Sequence, residues 1–128
     1  MSARILVVDD NLTNLKLACD LLEMEGFHVE RATDAPHARQ VINSTQVDLI
    51  LMDIELPGTD GLTLTRMLKA DVATRHIPVV ALTAFAMKGD DQKAFQAGCT
   101  GYIPKPIDTR KFGAQVTDFL FKNKRQNP

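Results

Sequence analysis

The run Ile5-Leu6-Val7-Val8, followed directly by Asp9-Asp10-Asn11, decides the fold. A continuous apolar run rich in β-branched residues suits a strand covered on both faces, the situation of a strand inside a parallel sheet. Two further runs repeat the pattern: Leu49-Ile50-Leu51-Met52 stops at Asp53, and Val79-Val80-Ala81-Leu82 stops at Thr83. Weaker strands are expected over Phe27 to Ala32 and at Tyr102-Ile103. The segments between them read as helices. Asn11 caps the first, which buries Leu15, Ala18 and Leu22 and ends at Gly26. Asp34 caps the second, with Pro36 in its first turn and Ala38, Val41 and Ile42 inward. Leu64, Met67 and Leu68 mark the third. The fourth runs from Gly89 to Ala97 with Ala94 and Phe95 as apolar anchors. Asp108 caps the last, whose stripe is Phe112, Val116, Phe119 and Leu120. Strand–helix alternation repeated five times predicts an α/β protein with a doubly wound, five-stranded parallel sheet between two helical layers.

Length and composition agree with this. The chain has 128 residues, Lys+Arg 15 against Asp+Glu 16, a net charge of −1 and 45% hydrophobic residues. That is the size of one domain, spanning 1–128 with a core over about 4–121 and a polar tail at 122–128. The charge balance argues against DNA binding, which needs clustered positive charge. Cys19 and Cys99 form neither a disulfide framework nor a metal-ligand motif, as expected in a reducing compartment. The N-terminal apolar run is too short for a signal peptide, and no stretch suits a membrane span, so a soluble cytoplasmic protein is expected.

In an open parallel sheet, ligands bind beyond the carboxyl ends of the strands. The residues there are Asp9, Asp10, Asp53, Thr83 and Lys105. Each has a plain reading in isolation: Asp9-Asp10 as a turn or cap pair, Thr83 as a strand terminus. Together they are three carboxylates, a hydroxyl and an ammonium. Converging carboxylates repel unless a cation compensates. A hard divalent ion with oxygen ligands serves best; Mg²⁺ fits, with Mn²⁺ as the other candidate. Mg²⁺, an ammonium and a hydroxyl form a set suited to phosphoryl oxygens, beside which a carboxylate could be the nucleophile and become an aspartyl-phosphate.

These stretches resemble the receiver domains of bacterial two-component response regulators. The matching text is Ile5 to Asn11, Asp48 to Gly58, Gly61, Pro78 to Ala84 and Lys105-Pro106. Leu82 to Asp90 looks most like free-standing receivers that control cell division, and like the receivers of hybrid kinases. The resemblance implies the flavodoxin-like (βα)5 fold of the chemotaxis regulators and a phosphorylation-driven switch that is not an enzyme beyond its own phosphorylation and dephosphorylation. It implies that Asp53 accepts the phosphoryl group. Asp10 and Asp53 would bind Mg²⁺ directly, Asp9 through a water, and Glu55 through its backbone carbonyl. Lys105 would pair with the phosphoryl oxygens. Thr83 would bond the phosphoryl group, and Tyr102 would turn inward behind it. The Lys105–Pro106 peptide would be cis. The donor would be a sensor histidine kinase or a histidine phosphotransferase, and the output a downstream protein met by a surface containing Ala86, Met87, Tyr102 and Phe112.

Two positions depart from the commonest family pattern. Glu55 adds a carboxylate that either tightens metal binding or repels the phosphoryl group, and Phe85 could shield the aspartyl-phosphate from water. His28, His37 and His76 read as surface residues, Met52 and Met67 as core filling, and both cysteines as inert. Two other functions compete: a scaffold that binds a kinase without phosphate, and a flavodoxin-like cofactor binder or small phosphatase. The first βα turn lacks the glycine- or hydroxyl-rich phosphate cradle expected of the latter.

Overall fold

The computed structural model describes residues 3–83 and 90–126. Strands and helices alternate: β1 (Arg4–Val8), α1 (Leu12–Met24), β2 (His28–Ala32), α2 (Ala35–Ser44), β3 (Leu49–Asp53), α3 (Gly61–Ala70), β4 (Val79–Thr83), α4 (Asp90–Ala97), β5 (Gly101–Pro104) and α5 (Phe112–Gln126). The first three helices start where a side chain captures a free N–H. Asn11 accepts from Asn14 at 3.0 Å, Asp34 from His37 at 2.9 Å and Asp60 from Thr63 at 2.8 Å.

All strand pairs are parallel, in the order β2-β1-β3-β4-β5. Successive side chains of a strand point to opposite faces, so each central strand supplies two cores. Leu6, Val8, Ile50, Met52, Val79 and Ala81 pack with α2, α3 and α4. Ile5, Val7, Leu49, Leu51, Val80 and Leu82 pack with α1 and α5. The apolar runs are continuous because both faces are covered. Strand order reverses between β1 and β3, and such a switch point opens a crevice above the carboxyl ends of the strands.

Four expectations need correction. α5 begins at Phe112, because Asp108 organises a preceding turn instead: its side chain accepts from the Arg110 N–H at 3.0 Å and its carbonyl from Lys111 and Phe112. Phe112 is fully buried and is not part of an exposed partner surface; with Val116 and Leu120 it forms the inward stripe of α5. Met67 borders the buried row Gly61, Leu64, Thr65 and Leu68 and is 43% exposed. Phe95 is 49% exposed and lies beside the buried Ala94 instead of anchoring α4. The three histidines are exposed and both cysteines buried, as expected. Burial pushes the Cys19 thiol up to about 11 and raises that of Cys99, so neither carries thiolate character at neutral pH.

One glycine is needed for a close approach. A Cβ at Gly61 would overlap the backbone carbonyl of Asp53, and the Gly61 N–H donates to the Ile54 carbonyl at 3.0 Å. The start of α3 therefore rests directly on the end of β3. Gly61→Ala is expected to cost about 1–3 kcal/mol through overpacking and to lower the thermal midpoint by several degrees. An unchanged midpoint in a thermal melt would dismiss the contact.

Candidate functional site

Backbone bonds beyond the strands proper hold the rim of the crevice. Asp9 N–H donates to the Ala32 carbonyl, Ile54 N–H to Leu82 and Lys105 N–H to Thr83, at 3.1, 3.1 and 2.7 Å. These bonds fix where the side chains just past β1, β3, β4 and β5 emerge. Asp9 and Asp53 are buried, at 1% and 4% exposure, whereas Asp10 is exposed. Carboxylate oxygens of all three lie within 4.8 Å of one another. Thr83 is buried beside them at the end of β4.

Lys105 reaches over from the end of β5. Its Nζ lies 3.1 Å from Asp9 Oδ2 and 3.2 Å from Asp53 Oδ2. The other oxygens accept backbone N–H groups two residues on: Asp9 Oδ1 from Asn11 at 2.9 Å, and Asp53 Oδ1 from Glu55 at 3.1 Å. The Lys105–Pro106 peptide is cis.

One ammonium does not balance three carboxylates. Burial pushes the Asp53 carboxyl up and the Asp9 charge adds to this; the Glu55 N–H and Lys105 pull back, and the balance lies at about 6 against an ordinary 3.8. Burial pulls the Lys105 ammonium down, but the charges and hydrogen bonds of Asp53 and Asp9 outweigh it, so Lys105 is raised. Three hard oxygen donors with surplus negative charge, one of them exposed at the mouth, fit a small divalent cation. The site joins a cleft of about 420 Å³ bordered by Ile54, Glu55, Leu62, Arg66, Thr83 and Lys93.

The structure thus brings together Asp9, Asp10, Asp53 and Lys105, with Thr83 at the same rim. Glu55 is exposed next to them, its N–H on Asp53. Tyr102 lies on the edge strand, 37% exposed. Ala86, Met87 and Phe85 lie outside the described residues. Sequence reasoning missed the two N–H donors on Asp9 and Asp53, although an Asp at a strand end commonly bonds the N–H two residues on. It also missed Arg66 and Lys93, which no local pattern marks.

A doubly wound sheet with an acidic, lysine-bridged pocket at its switch point defines an α/β module with a candidate cation site beyond the carboxyl ends of its strands. Comparison with known proteins gives the family. Residues 5–117 match the response regulator receiver domain. The chain is 43% identical over 120 residues to the polar-differentiation response regulator DivK of Brucella ovis, covering 94% of this chain and 98% of that one. Among solved structures it is similar to a CheY-like response regulator receiver domain protein of Methanospirillum hungatei (TM-score 0.89, 27% identity, 99% and 100% of the two chains). It is also similar to the signal receiver domain of a histidine kinase from Syntrophus aciditrophicus (TM-score 0.86, 30% identity, 97% and 94%). The chain belongs to the response regulator receiver domains of two-component systems, whose role is phosphorylation-activated signalling. Members of this family are regulators rather than classical enzymes and are phosphorylated by histidine kinases. Among the described residues no helix is long and apolar enough to cross a membrane.

The raised Asp53 carboxyl has a consequence for the metal-free protein. A carboxyl that holds its proton more tightly in the folded than in the unfolded state weakens folding as pH rises from about 4 to about 6. The full cost is up to about 3 kcal/mol. Asp53→Asn is therefore expected to raise the thermal midpoint of metal-free protein at pH 7.5, the gain shrinking towards pH 4. A gain independent of pH, or none, would count against the electrostatic reading.

Proposed function

We propose that Asp53 is the phosphoacceptor of a single receiver module spanning residues 1–128 in the cytoplasm, loaded by a histidine kinase or a histidine phosphotransferase in the presence of Mg²⁺. The observation that carries the reading is Lys105 Nζ held between Asp53 and Asp9 at 3.2 and 3.1 Å, in a pocket that still has surplus negative charge. The near-complete coverage of the Brucella ovis regulator supports the single-module reading and an analogous role in cell division or differentiation.

Asp10, Asp53 and the Glu55 carbonyl would hold the cation, and Asp9, already engaged by Lys105 and the Asn11 N–H, would act through water. When bound, the cation would supply positive charge that offsets the charge of the phosphoryl oxygens. An Asp53 carboxylate oxygen attacks phosphorus in line with the donor nitrogen. The new O–P bond forms as the N–P bond breaks, and the departing imidazole nitrogen keeps the electron pair. Lys105 turns from Asp53 to a phosphoryl oxygen, so its buried charge never loses a partner. The donor approaches over the start of α1, where Leu12 is 69% exposed and Asn14, Leu17, Lys105, Pro106 and Ile107 line a cleft of about 380 Å³. The Thr83 hydroxyl bonds the phosphoryl group, and Tyr102 turns inward behind it. This changes the face of α4 and β5 presented to a downstream protein.

Incubation with acetyl phosphate and Mg²⁺ is expected to add the mass of one phosphoryl group to wild-type protein and none to Asp53→Asn. An addition that survives the substitution would remove Asp53 from the role. Mg²⁺ is expected to raise the thermal midpoint of wild-type protein, since a ligand that binds only the folded state stabilises it. Asp10→Asn is expected to abolish most of that rise. A rise in Asp10→Asn equal to that of wild type would rule out Asp10 as a direct ligand.

A further inference from the structure

The ring of Phe95 on α4 meets the ring of Tyr102 on β5 edge to face, with centroids 6.5 Å apart and planes at 76°. Both rings are partly exposed, at 49% and 37%. Each turns away from the core although its neighbours, Ala94 and Ile103, are buried in it. Gly101, just before Tyr102, faces the ring of Phe119 so closely that a Cβ would overlap it. β5 is thus pinned from the α5 side, and the aromatic contact with Tyr102 comes from α4. A T-shaped pair of this geometry is favourable beyond the area it covers.

We propose that Phe95 is a positioning residue that holds Tyr102 in its outward arrangement, and so sets how much phosphoryl occupancy the switch needs. The proposal rests on the reading in which Tyr102 turns inward when Asp53 is phosphorylated. An inward Tyr102 must leave the edge-to-face contact, so the pair favours the outward state alone. An interaction made in one of two states biases their equilibrium by its own worth. For an aromatic pair that amounts to roughly two- to tenfold.

Tyr102 is the only tyrosine of the chain, and there is no tryptophan. Protein grown with 3-fluorotyrosine therefore carries one ¹⁹F resonance, which reports the environment of this ring alone. Titration with beryllofluoride and Mg²⁺, a stand-in for the phosphoryl group, is expected to move that resonance in wild-type protein. In Phe95→Ala the resonance without beryllofluoride should already lie part of the way towards the saturated position. The half-saturating concentration should fall roughly two- to tenfold. Phe95→Trp, which restores an aromatic edge, should return both towards wild type. Phe95 is half-exposed, so none of these variants threatens the core.

A midpoint in Phe95→Ala equal to or above that of wild type overturns the proposal while leaving the tyrosine switch standing. A wild-type resonance unmoved although beryllofluoride is bound overturns the switch and the proposal with it. If beryllofluoride fails to bind at all, the assignment of the phosphoacceptor site falls first.

Discussion

A single ammonium, Lys105, is shared between two buried carboxylates, Asp9 and Asp53, and much of the arrangement follows from that sharing. A buried charge without a partner is strongly unfavourable. Here one cation serves two anions, with a third, Asp10, close by. The pocket is folded but electrostatically incomplete. Asp53 holds its proton up to about 6, a sign that burial and the Asp9 charge together outweigh Lys105 and the Glu55 N–H. A site in this condition favours whatever brings compensating charge, and a divalent cation does so with ligands of the right hardness.

The same pocket is tied to the rest of the molecule by backbone. The ends of β3, β4 and β5 are joined by the Ile54–Leu82 and Lys105–Thr83 bonds, and α3 begins against the carbonyl of Asp53. The residue after Asp53 is therefore one backbone hydrogen bond from the end of β4, which in turn is one from the end of β5. The edge strand carries Tyr102, whose ring meets that of Phe95 edge to face. Family membership accounts for the acidic cluster and the lysine.

The strands and the acidic site were legible before any coordinates because they rest on local rules. Ile5 to Val8, Leu49 to Met52 and Val79 to Leu82 are apolar without alternation, as strands between two helical layers must be. Asn11 and Asp34 cap helices through contacts that span three residues. Asp108 misleads for an equally local reason: the same side chain serves a turn as well as a cap, and three residues separate it from the helix it precedes.

By itself the amino-acid sequence determined the element order, the two-sided burial of the central strands and the residue types at the strand ends, since these depend on neighbours within a few positions. Tertiary structure alone decided that Lys105 bridges two aspartates far apart in the chain, that Asp53 is pushed up, that Phe112 is enclosed while Met67 and Phe95 are not, and that Phe95 meets Tyr102. Each of those depends on which helix packs over which strand, a matter of layer geometry that no short window of residues contains.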